Sequence, residues 1–167
     1  MASDVAVTMT NPSTLYLRDA DFYSDNSWRI LEWCLANGAD EFTIDELIVD
    51  GEPRAYSVFY EAIEPYRLPS AVRQRSTALR SEDHNRETEL WQLNDSTITA
   101  IRSAMPDGLF TYRTSLSGWL EDLTIYRDGA ILLGVVTHEH EGFLWVTDEE
   151  CAELRKMDGM VLHESAE

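Results

Sequence analysis

The chain has 167 residues and carries 31 acidic against 13 basic side chains, a formal net charge of −18. This length predicts one domain with a core large enough to be stable without disulfides. The charge argues against direct binding to nucleic acid or to an anionic membrane, because both depend on clustered arginine and lysine. The longest apolar stretch, residues 130–136, is far short of the roughly 20 residues of a membrane-spanning helix.

The first part of the chain predicts one helix after a short strand. A strand is predicted over Val5–Thr10, followed by a turn at residues 11–13. The helix begins near Ser27, with Asp25 or Ser27 as its cap, and stops at Gly38. Its apolar stripe consists of Ile30, Leu31, Cys34 and Leu35.

A β-hairpin is expected next. The segments Phe42–Val49 and Ala55–Ile63 flank Asp50-Gly51, a dipeptide suited to a tight turn because both central residues need positive φ. Helical spacing also fits the second segment, through Tyr56, Phe59, Tyr60 and Ile63.

The middle of the chain predicts a long arginine-bearing loop over residues 65–86, with two prolines and little apolar periodicity. A short strand, Glu89–Leu93, follows it. A helix then runs from a cap at Asp95 or Ser96 to about Met105, and residues 106–108 end it.

The C-terminal part gives the clearest pattern. Four successive strands are predicted over residues 109–115, 119–127, 130–139 and 143–147. Asp128-Gly129 suits a two-residue hairpin turn, and Gly142 suits the left-handed position of a longer one. Thr147 and Glu150 form a capping box that opens a final helix, which ends at Gly159.

These elements together predict a single α+β domain over residues 1–167. An antiparallel C-terminal β-meander of about four strands is packed by two or three helices, and an N-terminal helix and β-hairpin precede it. We expect Cys34 and Cys151 to be buried and inert, because both fall on apolar faces of predicted helices. The N-terminus lacks the pattern of a secretory signal, which favours a cytoplasmic protein.

The acidic side chains are concentrated at the two ends of the sequence. Residues 1–64 carry a net charge of −10, residues 65–118 of +1 and residues 119–167 of −9. Arg73, Arg75 and Arg80 in the neutral middle are candidates for binding an anion such as phosphate. The alternative is that they neutralise the acidic flanks. The acidity itself fits either a function or a bias of composition, since the chain has a single lysine.

His138 and His140 are candidate metal ligands. On a continuous strand they would point to one face, where two imidazoles can chelate a divalent ion with help from a carboxylate. The alternative is a polar hairpin tip. The adjacent acids Glu121/Asp122 and Glu149/Glu150 are weak candidates for acid–base chemistry, and no local catalytic or cofactor-binding motif is present.

Aromatic residues beside turns suggest an interface. Trp28, Trp119 and Tyr66, together with Glu121 and Asp122, are candidates for contacting a protein partner. Trp33, Trp91 and Trp145 lie in apolar runs and are expected in the core.

Three functions compete. The favoured hypothesis is a non-enzymatic, inhibitor- or immunity-like binding protein whose acidic face masks a basic surface of a protein partner. The second is a small metal-dependent hydrolase or metal-binding domain that uses His138 and His140. The third is a domain that binds an anionic small molecule. The favoured hypothesis needs no cofactor.

Overall fold

A computed structural model describes residues 13–18, 25–48, 57–72, 87–110 and 118–164, which form one α+β domain. Within these residues there are four α-helices: α1 (Asp25–Ala36), α2 (Ser57–Ile63), α3 (Asp95–Ala104) and α4 (Asp148–Leu154). The eight strands are β1 (Ser13–Leu17), β2 (Glu41–Ile48), β3 (Arg67–Val72), β4 (Glu87–Gln92), β5 (Gly118–Arg127), β6 (Ala130–Val136), β7 (Glu141–Val146) and β8 (His163–Glu164).

All described strands belong to one antiparallel sheet with the order β3-β4-β2-β5-β6-β7-β1-β8. The predicted meander is confirmed for β5, β6 and β7, which are neighbours in both sequence and space. The strand predicted over residues 109–115 is not its fourth member: Leu109 and Phe110 lie in a turn, and residues 111–117 lie outside the described residues. The meander is instead continued by β2 on one side and β1 on the other.

The predicted N-terminal hairpin is wrong. Its first strand exists as β2, but the second segment forms helix α2, which buries Phe59 and Ile63 at helical spacing. Strand β2 pairs along its length with β5 on one side and, at Glu41 and Phe42, with β4 on the other. The strand predicted over Val5–Thr10 and the Asp50-Gly51 turn lie outside the described residues.

The predicted loop over residues 65–86 is also partly wrong. Glu64–Tyr66 is a turn of 3-10 helix with Pro65 in its first turn, and β3 follows it directly. Pro69 is compatible with β3 because this strand lies at the edge of the sheet, where a missing N–H donor is tolerated. Residues 73–86 lie outside the described residues.

The helix ends follow the predicted signals in part. Helix α1 begins at Asp25 and already contains Ser27, and α4 ends at Leu154 rather than at Gly159. Gly38 after α1 has a φ of +87°, a left-handed conformation that glycine adopts at little cost. Helix α3 is capped by Asn94 rather than by Asp95 or Ser96, and the Asn94 side chain accepts hydrogen bonds from the N–H groups of Ser96 and Thr97. The capping box of Thr147 and Glu150 at α4 is confirmed.

One hydrophobic core joins the helices to the sheet. It contains residues of all four helices and alternate residues of the strands, such as Phe42, Ile125, Leu133 and Leu144. Ser27 lies inside α1 rather than at its cap, and its buried hydroxyl accepts a hydrogen bond from the Leu109 N–H at 3.2 Å. Within the described residues, no helix combines the length and apolarity needed to cross a bilayer.

Candidate functional site

A strip of three aromatic side chains runs across β1 and β7. In β7, Leu144 and Val146 point into the core, so Phe143 and Trp145 point to the opposite face of the sheet. Tyr16 of β1 lies directly opposite Phe143 in the strand register and shares that face. Tyr16, Phe143 and Trp145, called the aromatic strip below, are all partly exposed.

The rings of the aromatic strip contact one another. The centroids of Tyr16 and Phe143 are 5.0 Å apart in an edge-to-face arrangement, and those of Phe143 and Trp145 are 6.1 Å apart. On the other side of β7, Phe143 pairs with Gly134 of β6, which adds no side chain to the face. Gly134 is buried, as are Leu132 and Val136 at alternate positions of β6, so the partly exposed aromatic surface ends at β7.

Carboxylates lie at both ends of the aromatic strip. Glu141 is two residues before Phe143 on β7 and shares its face. At the other end, Asp148 begins α4 and is exposed, and its carboxylate accepts a hydrogen bond from the Ser13 hydroxyl of β1 at 3.0 Å. Acidic residues are favourable in the first turn of a helix because the helix dipole is positive at the N-terminus.

The next acids of α4 divide into two kinds. Glu149 and Glu153 are exposed. Glu150 is only 15% exposed and pairs with Arg127 at the end of β5. Burial opposes ionisation of Glu150, but hydrogen bonds from Arg127 and from the Thr147 N–H outweigh it, so the pKa of this carboxyl lies below its usual value. The same bond to Glu150 raises the pKa of Arg127.

The predicted partner-binding tryptophan Trp28 lies in the core. It is 3% exposed, and the Arg102 guanidinium covers its ring at 5.5 Å from the centroid. Trp145, expected in the core, is instead partly exposed on the aromatic strip. The two tryptophans thus exchange the roles expected of them, and the ring of Trp28 has almost no surface left for a partner.

The remaining predicted interface residues do not form one patch. Tyr66 is partly exposed in the 3-10 turn next to β3, at the far edge of the sheet from β1. Glu121 is partly exposed on β5, and the side chain of Trp119 lies outside the described part of the chain.

Asp122 has a structural role. It is 6% exposed, its N–H donates to the Thr137 hydroxyl at 2.9 Å, and its carboxylate accepts from the Thr137 N–H at 3.0 Å. Its φ of +54° places a left-handed residue within β5, where the register with β2 shifts. These bonds hold the end of β6 against β5.

His138 and His140 do not lie together on a strand. Strand β6 ends at Val136, residues 137–139 form a 3-10 turn that contains His138, and His140 has a left-handed φ of +55°. His138 is exposed, whereas the His140 ring stacks on Phe110 at 5.8 Å. The geometry assumed for chelation on one strand face is therefore absent, and no group of three or more potential metal ligands occurs within the described residues.

The other predicted chemistry-bearing groups give no described site. Arg73, Arg75 and Arg80 lie outside the described residues. Cys34 is fully buried, burial raises the pKa of its thiol far above the usual range, and Cys151 is buried as well. Both cysteines are free, as expected. Glu149 and Glu150 are separated in role by the pairing of Glu150 with Arg127.

Comparisons of the chain with protein-family models, with curated proteins and with solved structures found no match. The geometry and charge of the molecule therefore carry the functional conclusion.

The aromatic strip was missed by sequence reasoning for a physical reason. Residues 143–146 are all apolar, so the period of two that marks a strand has no polar member to show which face meets water. The available signal was the acid on each side of this run, at Glu141 and Asp148.

Proposed function

We propose that the protein is a non-enzymatic, cytoplasmic binding protein that masks a basic surface of a protein partner, as inhibitor and immunity proteins do. The observation that supports this proposal is the excess of carboxylates over the cations that could neutralise them. The described residues hold 23 of the 31 acidic side chains but only seven of the 13 basic ones.

The few described cations are largely engaged by the protein itself. Arg67 contacts Glu64 and Glu89, each at 3.0 Å, and Arg127 contacts Glu150. Arg29 donates to the Asp158 carbonyl, and Arg102 lies 3.9 Å from Asp25. These contacts engage four of the seven described basic side chains, so the described carboxylates far outnumber the described cations.

A negative surface of this kind acts mainly on the rate and selectivity of binding. Complementary charge steers a basic partner to the surface and can raise the association rate by one or more orders of magnitude at low salt. The exposed acids of α4, Asp148, Glu149 and Glu153, place part of this charge next to the aromatic strip. Aromatic side chains are the usual anchors of such interfaces.

The test begins with capture of partners from a lysate of the source cells, followed by kinetics with the purified partner. We expect an association rate that falls at least tenfold between low salt and roughly 0.5 M salt, where charges are screened within a few ångströms. The Glu149→Gln/Glu153→Gln variant should associate more slowly at low salt.

Glu64→Gln is the matched control, because it also replaces a glutamate by glutamine, but one whose carboxylate already pairs with Arg67. It should change the association rate less per charge removed. A partner that is not basic, or an association rate that is the same at low and high salt, would contradict the proposal.

A further inference from the structure

The segment that ends α1 contains a dipeptide that can react with itself. Asn37 precedes Gly38, and it is the only one of the five asparagines of the chain that precedes a glycine. Glycine has no Cβ, so its main-chain nitrogen is poorly shielded and can approach the side chain of the residue before it. Asn37 is partly exposed and Gly38 is exposed, so water reaches both residues.

The reaction open to this pair is deamidation. The Gly38 nitrogen loses its proton to the solvent and attacks the side-chain carbonyl carbon of Asn37, so that a C–N bond forms. The bond from this carbon to Nδ2 breaks, and Nδ2 takes up a proton and leaves as ammonia. Water then opens the cyclic imide at either of its carbonyl carbons and yields aspartate or isoaspartate. Because both reacting groups belong to adjacent residues, the reaction is intramolecular and needs neither an oxidant nor a cofactor.

Hydrogen bonds restrain both reacting groups in the folded protein. The Asn37 Nδ2 donates to the Trp33 carbonyl at 2.9 Å, which turns the side-chain amide back along α1. The Gly38 N–H donates to the Leu35 carbonyl at 3.2 Å. Attack requires the amide to turn towards the Gly38 nitrogen, so both hydrogen bonds have to break before the reaction can start.

Arg127 of β5 fastens this end of α1 to the sheet. Its Nη1 donates to the main-chain carbonyl of Asn37 at 3.2 Å and also contacts the Glu150 carboxylate. A Cβ built on Gly38 would lie 3.8 Å from the Arg127 Cδ, so the arginine side chain also packs against the glycine. The end of α1 therefore opens only when the contacts of Arg127 are lost.

We propose that Asn37–Gly38 is a site of spontaneous deamidation and that Arg127 sets its rate by keeping the end of α1 closed. The reaction proceeds from the fraction of molecules in which this segment is open, so its rate follows the free energy of local opening. Isoaspartate routes the main chain through the former side chain of residue 37. This product therefore cannot rebuild the same helix end, and the modification is a permanent record of past opening.

The experiment incubates the full-length protein in mildly alkaline buffer made with water enriched in the heavy oxygen isotope. Deamidation during the incubation leaves a heavy oxygen in the product. After digestion in ordinary water, mass spectrometry detects this label in the tryptic peptide of residues 30–54, where Asn37 is the only asparagine. In urea, Asn37 should gain label at least about tenfold faster than in the folded protein. Asn94, which precedes Asp95, is the internal control and should label far more slowly in both conditions.

Three variants separate local opening from global unfolding. Arg127→Ala should label Asn37 at least about threefold faster than wild type under folding conditions. Arg127→Lys keeps a cation beside Glu150 but lacks the planar group that donates to two acceptors, so its rate should lie between the two and tests the proposal even if Arg127→Ala does not fold. Asp122→Ala instead loses the hydrogen bond from the Thr137 N–H and should label at the wild-type rate.

Four results would overturn the inference. Absence of label at Asn37 in urea would show that the pair does not react, and equal rates in the folded and unfolded chain would show that the fold does not restrain it. A wild-type rate in the Arg127 variants would remove the role of this arginine. An equal acceleration by Asp122→Ala would mean that global unfolding, rather than opening at the end of α1, exposes the pair.

Discussion

The corner where α1, β5 and α4 meet and the outer surface of β1 and β7 both carry carboxylates, but in opposite circumstances. In the corner, Glu150 is 15% exposed and is bound by Arg127, which also donates to the Asn37 carbonyl at 3.2 Å. On the outer surface, Glu141 and Asp148 flank the aromatic strip, and Asp148 has only a serine hydroxyl as its described partner. Burial explains the difference, because a carboxylate removed from water needs a cation and a solvated one does not.

This comparison separates acids that stabilise the fold from acids that are available to a partner. Changes in the corner should therefore alter the free energy of unfolding, and changes on the outer surface should alter binding. The predictions below test this separation, beginning with the largest expected effect.

Replacing Arg127 should cause the largest loss of stability. Arg127→Ala leaves Glu150 partly buried without its cation and the Asn37 carbonyl without a donor. We expect a loss of about 3 kcal/mol in the free energy of unfolding, measured by urea denaturation. Lys156→Ala, an exposed cation just after α4, is the control and should stay within about 0.5 kcal/mol. Equal effects of the two substitutions would remove the distinction between corner and surface.

Asp122 should behave as a structural acid although the sequence suggested an interface. Asp122→Ala removes the acceptor for the Thr137 N–H and places alanine at a φ of +54°. We expect a loss of about 2 kcal/mol in urea denaturation. Asp122→Asn keeps both an acceptor oxygen and tolerance of the left-handed conformation, so it should lose less than about 1 kcal/mol. If Asp122→Asn lost partner binding without losing stability, Asp122 would have to contact the partner.

Local patterns in the sequence predicted the elements that depend on nearby residues. The capping box of Thr147 and Glu150, the turn at Asp128-Gly129 and the apolar strand β6 are all confirmed, because their determinants lie within a few residues. The Asp128-Gly129 turn has positive φ at both positions, 51° and 76°. The hydrogen-bonded ion pair of Arg127 and Glu150 joins residues 23 positions apart, so no local pattern predicts it.

The wrong predictions concern segments whose structure depends on residues distant in the sequence. The segment after Asp50-Gly51 fitted both a strand and a helix, and the helix places Phe59 and Ile63 in the common core. Strand β6 ends early because Thr137 bonds with Asp122 across 15 residues, and this displaces His138 and His140 from the strand. Tertiary contacts of this range override local periodicity.

The pH dependence of stability should report the Arg127–Glu150 pair. Because the pKa of Glu150 is lowered in the folded state, its contribution is complete above the ordinary value of 4.5 and is lost as the pH falls through the folded-state value. Glu150→Gln lacks this contribution, so wild type should exceed it by about 1 kcal/mol near neutral pH, and the gap should close in acid. Urea denaturation at a series of pH values measures the gap, and a constant gap would contradict the assignment.

Neutralising the exposed acids of α4 should have the smallest effect on stability. Glu149→Gln/Glu153→Gln removes two solvated carboxylates. Glu149 lies in the first turn of α4 and interacts favourably with the helix dipole, so the expected change is small, within about 0.5 kcal/mol. High salt should shrink even this change, since exposed charges are screened. A loss comparable to that of Arg127→Ala would mean that these acids have structural partners. A near-silent result in urea denaturation, together with slower association with a basic partner, would place them among the acids that act outside the fold.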